Sequence, residues 1–169
     1  FLLGPSYSYN SKKNNAINDI KLKDCQGRVI VFASTGFEDT DLEELVNYST
    51  VSNHTLNYFK DQRRILRISH DDIVETEEEI EDYVNTDHHK VALKDVANYT
   101  KYGFSILTPQ MESDSVFRGI NPINTEAGKG LEAGCQFIMM NYQKIDTNMS
   151  NYVYIFKDSS LVLKADQHI

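Results

Sequence analysis

The sequence predicts an α/β fold in which largely parallel strands alternate with helices, and three observations carry that expectation. Residues Arg28 to Ser34 (RVIVFAS) form a continuous β-branched and apolar run behind Gly27, the pattern of a strand buried on both faces as in parallel sheets. From His88 to Tyr102 the apolar positions Val91, Ala92, Val96 and Tyr99 recur at helical spacing, and Gly103 sits where a C-terminal cap belongs. Further strand-like runs follow at short intervals, giving the order strand, helix, strand, helix, strand, loop, strand. That order suits half of a (β/α)8 barrel, and equally an open doubly wound sheet; periodicity does not separate the two.

The elements read in order as follows. Phe1 to Asn18 is polar and Asn-rich after Gly4-Pro5, a loop leading into the first strand. Thr40 with Glu43 makes a capping box ahead of Leu42, Leu45 and Val46, predicting a helix from about Asp41 to Tyr48. Arg64 to Ser69 (RILRIS) alternates apolar and polar residues and reads as a strand, followed by a polar turn at His70-Asp71-Asp72. Glu75 to Asp82 is a block of like charge that frames a solvated helix or a mobile insertion over about 71–88, a solvated reading preferred to a metal site. Phe104 to Thr108 is a strand stopped by Pro109, and a polar loop runs on to about Glu126. A Gly-punctuated turn precedes a buried strand from Cys135 to Tyr142, and two last strands are predicted at Tyr152 to Phe156 and Leu161 to Lys164. The domain expectation is therefore a lead-in loop over 1–22, one α/β unit over 23–166 and a tail over 167–169.

Composition narrows the function classes. A chain of 169 residues with 40% hydrophobic content suits one domain or part of one. A net charge of −8 argues against nucleic acid as a partner, because phosphate backbones are held by clustered Lys and Arg. The small basic clusters, Lys12-Lys13 and Arg63-Arg64 with Arg67, read as solvated surface. Cys25 and Cys135 lack metal-ligand spacing and are expected to stay reduced. Four sequons, at Asn47, Asn53, Asn98 and Asn148, are read as chance products of a composition rich in Asn, Ser and Thr. The expected localisation is intracellular, cytoplasmic or peripheral to a membrane, and the missing initiator Met suggests a chain that begins mid-protein. There is no GxGxxG, P-loop or GxSxG motif to support a nucleotide or hydrolase reading of an open sheet.

Five collinear segments carry a resemblance. ALKDVANYTKYGFSILTP (92–109) looks like the helix and strand leading into the "LSRIYP" motif, and AGCQFIMMNYQ (133–143) like the "AGCQMVALNFQ" strand, of the Y box of eukaryotic phosphoinositide-specific phospholipases C. LEELVNYS (42–49) is similar to the helix that opens that box, KDCQGRVIVFAS (23–34) to the strand that ends the X box, and the stretch from Asn151 to Asp166 to the terminal hairpin. The resemblance implies the C-terminal half of a TIM-like barrel. It further implies a phosphoric diester hydrolase of signal transduction and lipid metabolism, releasing diacylglycerol and a soluble inositol phosphate. In that family two histidines and a calcium ion, held by carboxylates and an Asn, perform the chemistry. All of these lie in the X half, which this chain represents only by its final strand.

What the resemblance implies for this chain is thus headgroup contact without catalytic residues of its own. Its candidate substrate-binding residues are Ser34, Ser69, His70, Thr108 and Arg118. Ser69 is preferred over His88 as the counterpart of the family's strand-end Ser, and Arg118 is the cation nearest that face. The family's two lysines after the X-box strand align with Phe32 and Ser34, and its Arg and Tyr with Ile106 and Thr108. Apolar residues at two cation positions should weaken recognition of polyphosphorylated headgroups. Of the histidines, His88-His89 read as a capping or surface pair and His54 and His168 have no context. His70-Asp71-Asp72 reads as a polar turn before it reads as a cation or proton-transfer site. Expected partners are a phosphoinositide headgroup, a missing X half and, through open strand edges, a second copy of the chain. The alternative is a catalytically inactive phospholipase C-like module used for binding or scaffolding. Calcium is expected for the family, with ligands outside this chain.

Overall fold

The computed structural model describes residues 2–8, 20–34, 36–52, 64–75, 90–109 and 123–163. Seven strands are found there: β1 (Phe32–Ala33), β2 (Tyr48–Ser52), β3 (Arg64–Ser69), β4 (Ile73–Val74), β5 (Val91–Ala92), β6 (Phe104–Thr108) and β7 (Phe137–Ile138). Helices α1 (Leu93–Tyr99), α2 (Ala127–Glu132) and α3 (Thr147–Ile155) are interspersed. A five-stranded sheet runs in the order β1-β2-β3-β6-β7, and β4 pairs with β5 separately. In each pair of defined register, β1 with β2, β4 with β5 and β6 with β7, the strands run parallel. The α/β class and the strands at Arg64–Ser69 and Phe104–Thr108 are as the sequence predicts.

The chain divides into two units. In the first, Phe1–Leu66 with Tyr102–Phe104, the anticipated strand from Arg28 to Ser34 is reduced to Phe32–Ala33. Burial on both faces is not found: Val29 is 51% and Phe32 37% exposed. The reason is position, since β1 ends the sheet and only a central strand is covered on all sides. Leu2 adds a single parallel bridge to Val29, so the lead-in segment partly flanks this edge. The helix predicted over Asp41 to Tyr48 is a run of turns. Thr40 and Glu43 do act as caps, Thr40 Oγ1 accepting from the Leu42 N–H and Glu43 Oε2 from the Asp39 N–H. Propagation fails because Asn47 and Tyr48 both donate from their backbone N–H groups to the Val31 carbonyl. The buried Asn47 amide also accepts from the Val31 N–H and donates to the Tyr7 carbonyl. Tyr48 opens β2, a strand the sequence reading did not anticipate. It is fully buried, stacked on Phe32 at 5.6 Å and edge-on to Phe104 at 5.4 Å between ring centroids.

The second unit comprises Arg67–Lys101 and Ser105–Ile169. The predicted helix over His88 to Tyr102 begins only at Leu93, because Val91 and Ala92 pair with Ile73 and Val74. It ends at Thr100, not at a Gly103 cap. The buried Thr100 hydroxyl lies within bonding distance of the Ala97 and Ala133 carbonyls, 3.0 and 2.9 Å away. The Gly-punctuated turn is helix α2, which packs on the sheet through Gly130. A Cβ there would lie 2.8 Å from Ile138 Cδ1 and 3.0 Å from Leu107 Cδ2. The helix closes with Gly134 in the left-handed region at φ +67°, the Cys135 N–H donating to Gly130 and the Gly134 N–H to Leu131, a Schellman arrangement.

Two expectations about the C-terminal third are corrected. The strand predicted over Cys135 to Tyr142 covers only Phe137–Ile138, with Phe137, Met139 and Tyr142 exposed, because β7 is the other terminal strand of the sheet. The strand predicted over Tyr152 to Phe156 is part of helix α3, and Leu161–Leu163 is irregular. The alternation of Tyr152, Tyr154 and Phe156 mimics a strand, yet Asn148, Met149, Tyr152, Ile155 and Phe156 are covered and Val153 and Tyr154 exposed, the three-and-four spacing of a helix. Asp146 starts that helix, its carboxylate accepting from the Met149 N–H at 2.9 Å.

Candidate functional site

In parallel sheets, ligand-binding groups gather at the C-terminal ends of strands, where the chain leaves toward its next element. In the second unit, β3 ends at Ser69 and β6 at Thr108, and these strands are neighbours in the sheet. The Thr108 hydroxyl donates to the Ile68 carbonyl at 3.2 Å, so the two strand ends are tied together and Thr108 lies beside Ser69. Three predicted residues, Ser69, His70 and Thr108, are therefore brought together, all partly exposed.

A one-turn 3-10 segment, His70–Asp72, follows β3, which is the polar turn the sequence reading favoured. The Ser69 side chain does not cap it. His70 Nδ1 lies 2.9 Å from Asp71 Oδ1. Two cations that sequence reasoning missed brace the turn. The Lys90 ammonium donates to the Asp71 carbonyl, and the Lys129 ammonium, from α2, donates to the Ile73 carbonyl at 2.5 Å. Lys90 and Lys129 are 19 and 56 residues from their acceptors, a separation that no spacing rule would have connected.

Ser34 is exposed just past β1 in the first unit, its carbonyl accepting from the Ser49 hydroxyl at 3.4 Å. Arg118 lies outside the described residues, as do His54, His88, His89, His168 and most of the acidic insertion. At the positions aligned with family cations, Phe32 belongs to the aromatic row on Tyr48, and Ile106 is half-buried in register with Phe137. Neither can offer a charge-assisted hydrogen bond to phosphate.

Among the described residues no group of three or more His, Cys, Asp or Glu side chains is placed to hold a metal ion. No helix among them is long and apolar enough to cross a membrane.

The perturbed ionisable groups lie elsewhere, around the start of α3. Burial pushes the Asp146 carboxyl up, but hydrogen bonds from the Met149 and Asn124 N–H groups and the Asn124 amide, with the nearby Lys144 charge, hold it below the usual carboxylate range. The buried Asn124 organises this corner. Its amide donates to the Lys144 carbonyl and to Asp146 Oδ1, and its Oδ1 accepts from the Asn141 N–H. The Asn124 and Asp146 side chains are both engaged within the protein, which marks a structural clasp, although the neighbouring buried Thr125 hydroxyl has no hydrogen-bond partner. Burial, then a hydrogen bond to Tyr142, pushes the Tyr152 hydroxyl up. Comparison with protein-family models, with curated proteins and with solved structures finds no match.

Proposed function

We propose that this chain is the C-terminal half of a phosphoinositide phospholipase C-like phosphodiesterase barrel, competent only with an X half that supplies the histidine pair and the calcium site. One observation carries the reading. The two segments of strongest likeness, ALKDVANYTKYGFSILTP and AGCQFIMMNYQ, contain β6 and β7, which are parallel neighbours with Ile106 opposite Phe137 and helix α2 between them in sequence. That β-α-β unit is the repeat from which a (β/α)8 barrel is built. The clustering of Ser69, His70 and Thr108 at the C-terminal strand ends supports headgroup contact there. On this reading the chain works at a membrane surface, and the exposed strand edges at β1 and β7 receive the missing half or a second copy.

A second reading is a phospholipase C-like binding module without turnover. It is favoured by Phe32 and Ile106 at the aligned cation positions, since an aromatic stack and a half-buried aliphatic residue give a phosphate nothing to bind. The experiment mixes the chain with the X half of a phosphoinositide phospholipase C and measures inositol phosphate release from phosphatidylinositol and phosphatidylinositol bisphosphate vesicles, with calcium and with chelator. Calcium-dependent release only in the mixture supports the half-enzyme. Vesicle binding without release supports the binding module. Neither release nor binding refutes both.

A further inference from the structure

The aromatic side chains of α3 and of the loop before it form a corner that the phospholipase-like reading leaves unused. Tyr142 and Tyr152 stand at 89° to each other with ring centroids 6.5 Å apart, and Phe156 lies against the Tyr152 ring at 4.7 Å. Two rings at a right angle leave a re-entrant corner onto which a face of each looks, and a group seated there lies within about 6 Å of both centroids. The corner reaches the surface: Tyr142 is 69% exposed, and Tyr152 and Phe156 are half-buried. Its walls are held in place before any ligand arrives, because the Tyr142 and Tyr152 hydroxyls are hydrogen-bonded to each other and Phe156 backs Tyr152.

The surroundings select the charge and kind of ligand. An aromatic face is the negative part of the ring quadrupole and attracts cations. Tyr152 and Phe156 stand at the C-terminal end of α3, where the helix dipole is negative and the last turn holds no basic residue. The chain as a whole carries a net charge of −8, which draws cations to its surface. Lys157 already shows the preference at this helix end, its ammonium standing 4.3 Å from the Tyr154 ring centroid. A primary ammonium or a metal ion asks for oxygen acceptors, and the two hydroxyls are engaged with each other. A quaternary ammonium asks for none, since it has no N–H group and is weakly hydrated.

We propose that Tyr142, Tyr152 and Phe156 form a binding site for a quaternary ammonium group of the kind choline carries, its methyl groups packed against the two perpendicular tyrosine faces. A free amine and a lipid headgroup share that group. The site goes beyond the phospholipase-like reading and does not depend on it.

The test titrates choline chloride into the full chain and follows the tyrosine rings by proton–carbon NMR, the Tyr142 signals being assigned by their loss in Y142A. Choline should move Tyr142 saturably, while ammonium chloride at the same concentration leaves it in place. Because Tyr142 is mostly exposed, Y142A should keep the fold, checked by circular dichroism, and weaken choline binding about fivefold, the loss of one ring face. Y142F keeps the ring and should bind more tightly than Y142A. Y102A, at another exposed tyrosine, should bind as the wild type does. Tyr142 resonances that ignore choline, or that follow ammonium equally, overturn the proposal, as does undiminished binding by Y142A. Phosphatidylcholine vesicles that displace choline, with phosphatidylglycerol vesicles inert, identify a lipid headgroup; choline binding that neither vesicle disturbs identifies a free amine, and both results sustain the site. Inositol phosphate release without a choline shift refutes this inference alone.

Discussion

Gly130 offers the sharpest test of how α2 sits on its sheet. Adding one methyl at Gly130 puts a carbon 2.8 and 2.9 Å from Ile138 Cδ1 and Cγ1 and 3.0 Å from Leu107 Cδ2. Carbon atoms are comfortable at about 3.5–4.0 Å, so the contact is short by roughly 0.7 Å. Leu107 is fully buried and cannot swing into water, so relief must come from the half-buried Ile138 side chain or from a shift of the helix or the strand. Overpacking of this kind costs about 1–3 kcal/mol. Replacing a helical glycine by alanine returns about 1 kcal/mol. G130A is therefore expected to destabilise by about 1 kcal/mol net, and G130V, with two further methyls and a β-branch, by about 3 kcal/mol. Gly128 is the internal control, since a Cβ there meets nothing within 4 Å. G128A keeps the helix gain without the clash and should stabilise by about 1 kcal/mol. Urea unfolding followed by far-ultraviolet circular dichroism reads the order G128A, wild type, G130A, G130V. If G130A is as stable as G128A, α2 does not pack against β6 and β7 as described.

Three further predictions follow from the same contacts. The carboxyl of Asp146 is held below its ordinary value of 3.8, so its contribution to stability is fully present above the unfolded-state pKa and is lost as pH falls through the folded-state pKa. D146A should cost about 1 kcal/mol at pH 7 through loss of the α3 cap, and D146N should flatten the acid limb of a stability-against-pH curve; an unchanged limb would remove Asp146 from the account. Gly134 is held at φ +67°, so G134A should destabilise by about 1 kcal/mol in thermal unfolding, and a neutral result would mean that α2 does not close with a left-handed residue. The sheet ends at β1 and β7 with Val29, Phe32, Phe137 and Met139 exposed, so sedimentation of the isolated chain should show concentration-dependent self-association that F32K weakens. A single monomeric species at every concentration would refute this.

The candidate site was partly legible before the fold was known. The phospholipase C resemblance points to Thr108 as the counterpart of the family's Tyr and to Ser69, followed by His70, as its strand-end Ser, and the two strands that carry them have local patterns. RILRIS alternates cleanly and FSILT is stopped by proline, and both strands appear with the predicted bounds. Their proximity was not readable, since it depends on β6 being the neighbour of β3, 35 residues away at Phe104 and Ser69. Lys90 and Lys129 carry no motif at all and reach the turn only through tertiary packing.

By itself the sequence determined the α/β class, the strands β3 and β6 and the polar turn after β3, because hydrophobic alternation and a proline stop act over a few adjacent residues. Tertiary structure decided the rest. The capped segment after Thr40 stops short of a helix because the Asn47 and Tyr48 N–H groups find the Val31 carbonyl and the Tyr48 ring is buried in the sheet. AGKGLE becomes a helix because Gly130 allows a close approach to Leu107 and Ile138. The alternating aromatics of α3 form a helix because the Asp146 carboxylate caps it and one helical face is covered. In each case the local preference was worth only tenths of a kcal/mol to about 1 kcal/mol per residue, and burial or backbone pairing with distant residues outweighed it.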